Sequence, residues 1–157
     1  MGLLDKVKSL KNAVTGGSAK VYVDVQHAKL AEPFEVVIRA QPQGCDVKFD
    51  RVYLDVEGME SVEVPDYDFE YEEDGVRRRR TEIVRKKAKT VDLKMTVADA
   101  GEIKEGETGE WKIEVRLPEG SIPEFRGKYS RHSYRLRAGL DCFGNDPDSG
   151  WIDFRVS

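Results

Sequence analysis

Histidine and cysteine are scarce in this chain, with two of each among 157 residues. Two cysteines, Cys45 and Cys142, are too few for a disulfide framework, and they lack the CxxC spacing of a zinc site. The N-terminus has no secretory apolar core, because Asp5, Lys6, Lys8 and Lys11 interrupt it, so a reduced cytoplasmic protein is expected. His27 and His132 offer little acid–base chemistry. Ser133 adjoins His132, but adjacent strand residues point to opposite faces and do not build a triad. No run approaches the ~20 apolar residues of a membrane span. A net charge of −4 gives no general attraction to nucleic acid or to anionic lipid. Gly101 to Thr108 has the glycine spacing of a phosphate loop, but Glu107 stands where the lysine is required and repels phosphate. No enzyme, cofactor or stable membrane insertion is therefore expected.

What the chain has in abundance is two-residue alternation. Ala19, Val21, Val23 and Val25 alternate with polar neighbours, as do Phe34, Val36, Ile38 and Ala40. Val47 and Phe49 begin a third strand, which Val52, Leu54 and Val56 continue with a change of phase; a bulge near Asp50 or Arg51 is expected. Val91 to Val97, Trp111 to Leu117, Tyr134 to Leu140 and Ile152 to Val156 repeat the pattern. The last three are expected to pair antiparallel, with Phe125 and Tyr129 pinning the intervening loop to the body. About eight or nine strands with turn signals between them specify an all-β antiparallel sandwich. At this length the fold buries roughly 70% of the unfolded chain's surface. One domain over residues 18–157 is expected, preceded by a helix and linker over residues 1–17.

That helix, residues 3–14, places Leu3, Leu4, Val7 and Leu10 at helical spacing with lysines between them. A helix this short is marginal alone, so its apolar stripe is expected to lie against the sandwich, the alternatives being a protein partner, a second copy of the chain or a membrane surface. These four residues are partner-binding candidates.

The middle of the chain is segregated by charge. Eight acids and no base lie between Glu60 and Asp74, and eight bases with the single acid Glu82 lie between Arg77 and Lys89. Asp74-Gly75 between them is a two-residue hairpin signal. It sets Glu73 opposite Val76, Glu72 opposite Arg77 and Glu70 opposite Arg79. Two readings follow: a self-complementing hairpin, and a charged edge that docks a partner through Arg77, Arg78, Arg79 and Arg80. Nucleic acid is not expected there, since acids lie one strand away and the basic run contains no aromatic residue.

The turn-rich segment 145–153 is read as side chains of Asp146 and Asp148 holding nearby backbone amides. The alternative is a ligand- or calcium-binding sandwich in which Asp146, Asp148 and Asp153 supply oxygens, although the EF-hand spacing is missing.

Several pieces taken in order carry a resemblance: Leu117-Pro118, then PEFRGKY over residues 123–129, YRLRAGLD over 134–141 and DPDSGWI over 146–152. Together with the N-terminal helix they resemble the arrestin-like fold and, within it, the bacterial and archaeal sporulation-control family. The resemblance implies an immunoglobulin-like sandwich. It also implies a non-enzymatic adaptor or regulatory scaffold that binds other proteins, in a stress or sporulation-type pathway.

Overall fold

The computed structural model describes residues 18–144 and 146–157, with the backbone alone at 67–70 and 79–81. The expected N-terminal helix, with Leu3, Leu4, Val7 and Leu10, lies outside the described residues. Among the described residues ten strands follow one another: β1 (Ala19–Val25), β2 (Phe34–Pro42), β3 (Val47–Phe49), β4 (Arg51–Glu73), β5 (Val76–Ala98), β6 (Gly101–Ile103), β7 (Gly109–Val115), β8 (Phe125–Arg126), β9 (Ser130–Asp141) and β10 (Ile152–Phe154).

They form two principal sheets, one ordered β1-β2-β7 and one ordered β10-β9-β4-β5, with β8 added to β9. All pairings between these strands are antiparallel. The alternating residues of β2 and β9 explain the arrangement: each strand buries every second side chain. Val21, Val36 and Ile38 from one sheet join Leu54, Val56, Leu136 and Leu140 from the other in a single core, all fully buried. Each such side chain contributes about 1.5–3 kcal/mol over leaving it in water.

Three expectations are corrected. The phase change between Phe49 and Val52 is a change of sheet rather than a bulge. β3 pairs with β6 in a separate two-stranded sheet, and β4 enters the large one. The bulges lie further on, at Val52/Tyr53, Gly58/Met59 and Asp66/Phe69 against β5. Next, β7 does not pair with β9: it flanks β2 in the opposite sheet, and only β9 and β10 pair as expected. Both β7 and β9 bury one face in the common core, and alternation alone cannot say from which side. Last, Tyr129 does not pin the loop before β9, for its ring is exposed, while the partly exposed Phe125 helps to do so by stacking on His132. Tyr134 does so, donating its hydroxyl proton to the Ile122 carbonyl at 2.6 Å, and the Glu124 amide donates to the Val156 carbonyl at 2.9 Å.

The feature that positions everything below is the inequality of strand lengths. β4 and β5 have 23 residues each. β9 accompanies β4 only from Asp141 to Ser130, which lies opposite Val62. Beyond that point the hairpin continues as a two-stranded ribbon, with no further strand beside it among the described residues, for about 35 Å at ~3.3 Å per residue. Its turn is Asp74 (φ 54°) and Gly75 (φ 74°), both left-handed, as a type I′ hairpin requires. The register is the one the charge segregation predicts: Glu73 opposite Val76, Glu72 opposite Arg77, Glu70 opposite Arg79. The ribbon buries little. Val64, Ile83, Val84 and Val76 are 37%, 52%, 45% and 55% exposed.

Candidate functional site

On the outward face of the large sheet, direct cross-strand partners share a side, so charges meet in rows. In the first row Arg51 of β4 lies opposite Asp141 of β9, and the two form an ion pair. In the third, Asp55 lies opposite Arg137, with Nη2 to Oδ2 at 2.8 Å. In the fourth, Glu57 lies opposite Arg135, whose Nε and Nη2 both donate to Oε2 at 2.9 and 2.7 Å. The other Glu57 oxygen receives Lys89 of β5 at 2.7 Å. Burial pushes the Glu57 carboxyl up, but the hydrogen bonds from Lys89 and Arg135 prevail and hold it below the usual range. The Trp151 ring lies under both guanidinium groups, 4.3 Å from Arg135 and 4.8 Å from Arg137. The second row has no charge. Tyr53 crosses the space that a side chain on Gly139 would occupy, and burial pushes its hydroxyl up to about 12.

Toward the ribbon the pattern breaks. Ser61 stands opposite Arg131 on β9 and Lys87 on β5, and Arg131 stands opposite Arg126 on β8. Three bases therefore cross one row of four strands, and β4, which answers Arg137 with Asp55 and Arg135 with Glu57, answers Arg131 with a serine. A groove of about 640 Å³ opens there, between the root of the ribbon and the turn joining β8 to β9. Six bases line it, Arg85, Lys86, Lys87, Arg126, Lys128 and Arg131, with the single acid Glu63. Glu63 pairs with Arg85 at 3.2 Å. The other five bases have no carboxylate partner among the described residues. The turn is held to β4 by main chain: the Gly127 amide donates to the Ser130 carbonyl, and the Glu63 amide to the Tyr129 carbonyl, both at 2.7 Å. Lys128 lies over the exposed Tyr129 ring at 5.1 Å.

The fold is arrestin-like, and similar to that of Spo0M, a sporulation control protein from Bacillus subtilis. The two superpose with a TM-score of 0.59 at 15% identity, over 90% of this chain. The chain spans half the length of the Spo0M chain it matches. No protein-family model and no curated protein matches it.

The described site candidates singled out from sequence lie outside this groove. Arg77 and Arg78 are exposed near the far end of the ribbon, about 30 Å along the strand from Lys87. Arg78 pairs with Glu73 at 3.6 Å. The backbones of Arg79 and Arg80 lie opposite Glu70 and Phe69. In the acidic turn, Asp146 accepts the Cys142 amide at 2.9 Å and Asp148 accepts the Gly150 amide at 2.6 Å. Asp153 is exposed on β10, opposite Arg135. Among the described residues no three acids, histidines or cysteines gather as a metal-holding group.

His132 is buried inside the sheet. It shares a 2.6 Å hydrogen bond with the Thr90 hydroxyl, lies 3.2 Å from the Pro123 carbonyl, and stacks on Phe125. Thr90 is the residue left over at a β5 bulge, and a side chain on Gly58 would strike its hydroxyl, which explains the glycine. Both cysteines are free thiols, and burial followed by Asp146, Asp141 and Asp50 pushes Cys142 up to about 11. Among the described residues no helix is long and apolar enough to cross a membrane. Sequence reasoning missed Ser61, Arg126 and Arg131, whose meaning depends on strand register. It also missed Phe143, whose ring is fully exposed beside Gly144.

Proposed function

We propose that this protein is a cytoplasmic, non-enzymatic adaptor or regulatory scaffold that works by holding other proteins. Its place is in a control pathway of the kind for which Spo0M is named. The observation that carries this reading is the ribbon. A lone two-stranded hairpin gains little stability in water. This one extends past its third strand with four large apolar side chains exposed and basic side chains along its outer strand. Such an element is suited to meeting another surface.

The test places a photo-crosslinking amino acid at Val84 and irradiates the protein in a lysate of its source organism. A discrete, reproducible adduct identified by mass spectrometry is expected. It disappears when the ribbon is shortened by joining Pro65 to Ile83 through an Asp-Gly turn. Diffuse products only, or an adduct indifferent to the shortening, refute the reading.

A further inference from the structure

We propose that the groove at the root of the ribbon is the docking site for a short carboxylate-rich segment of a partner protein. This rests on the adaptor reading and names the chemistry of what is held.

The broken row is the main ground. Where Arg51, Arg137 and Arg135 occur on this face, the strand beside them supplies Asp141, Asp55 and Glu57. At Arg131 β4, which supplies Asp55 and Glu57 to the other two β9 arginines, supplies Ser61, and the neighbours on either side, Arg126 and Lys87, are also bases. Like charges directly opposite one another destabilise a sheet. A row that keeps three of them around a serine has a vacancy for anionic groups supplied from outside. Pro65 and Ile83 add an apolar wall, so acids interspersed with apolar residues fit best.

Other occupants are disfavoured by charge. Residues 1–17 carry Lys6, Lys8 and Lys11 against Asp5 and are repelled. The ribbon tip of a second copy is self-neutralised: Glu70, Glu72, Glu73 and Asp74 balance Arg77 to Arg80, and Glu73 is already paired. A long polyanion continuing along the ribbon meets Glu72 and Glu73 beyond the groove, so a short segment is favoured over a nucleic acid. Simple strand addition to β4 is interrupted. The Glu63 amide points outward to Tyr129, position 65 faces the same way, and proline has no proton to donate there. Recognition therefore runs through side-chain charge and weakens with salt.

The test is fluorescence anisotropy of the whole chain with a short fluorescein-labelled peptide of glutamate and alanine. The same peptide with glutamine for glutamate, and a labelled oligothymidylate, serve as comparisons. The glutamate peptide is expected to bind, to weaken as salt rises, and to bind at least about tenfold more tightly than the glutamine peptide. Ser61→Glu completes the row with its missing carboxylate, so the fold is expected to persist while binding falls about tenfold or more. Should that variant fail to fold, Lys87→Gln with Arg131→Gln takes its place with the same expectation.

No binding of the glutamate peptide, binding unchanged in the variants, or tighter binding of oligothymidylate overturns the proposal. A partner crosslinked at Val84 that carries no acidic segment overturns it too, and leaves the adaptor reading standing.

Discussion

Replacing Glu57 by glutamine tests the paired rows that the groove departs from. The Glu57 side chain is 9% exposed and its two oxygens receive three hydrogen bonds, one from Lys89 and two from Arg135. Hydrogen bonds to charged groups contribute about 1.5–3 kcal/mol each when a partner is removed. Glutamine keeps the shape and one acceptor, and the two cations, 40% and 39% exposed, can be rehydrated. The loss is therefore set at the low end, about 2 kcal/mol. For a chain of this size that lowers Tm by about 4–8 °C.

The pH dependence fixes the sign independently. Glu57 has its carboxyl held below the ordinary range when folded. A depressed folded value contributes stability that is present above the unfolded value and lost as pH falls through the folded one. The gap in Tm between wild type and Glu57→Gln, followed by circular dichroism, should be full at neutral pH. It should begin to close near about pH 4.3, where the unfolded chain's carboxyl takes up its proton, and finish closing at lower pH as the native carboxylate does so. Equal melting at neutral pH, or a gap that widens on acidification, would refute the reasoning, because the network would then be spending as much in desolvation as it returns.

Further outcomes follow from single contacts. Tyr134→Phe removes the donor to the Ile122 carbonyl and should cost about 1–2 kcal/mol, read as a lower Tm; an unchanged melt would mean that water replaces the hydroxyl. Gly139→Ala drives a methyl group into the Tyr53 ring and should cost about 1–3 kcal/mol, with most of it recovered when Tyr53→Leu is added. Alkylation at neutral pH should modify exposed Cys45 quickly and Cys142 slowly, by peptide mass spectrometry, since the Cys142 thiol stays protonated; equal rates would contradict its burial. Calorimetric titration with calcium should give no saturable heat, because Asp146 and Asp148 already hold backbone amides; stoichiometric binding would revive the calcium alternative for that turn.

Local chemistry was legible without coordinates. Asp74-Gly75 demands two left-handed residues and a two-residue loop, so the pairing of Glu72 with Arg77 follows from neighbours in sequence. The alternation in β1, β2 and β9 likewise states which side chains are buried, because a strand has only two faces. It does not state which sheet they are buried from, and so alternation alone sets β7 beside β9 and makes the change of sheet at Asp50 look like a bulge. Ser61 and Arg131 are each unremarkable on their own. They become a vacancy in a charged row only when β4 and β9, far apart in the chain, adopt the one register that buries Leu54, Val56, Leu136 and Ala138 together. Burial of the inner face chose that register, and the outer face, with its paired rows and its row of unpartnered bases, was carried along by it.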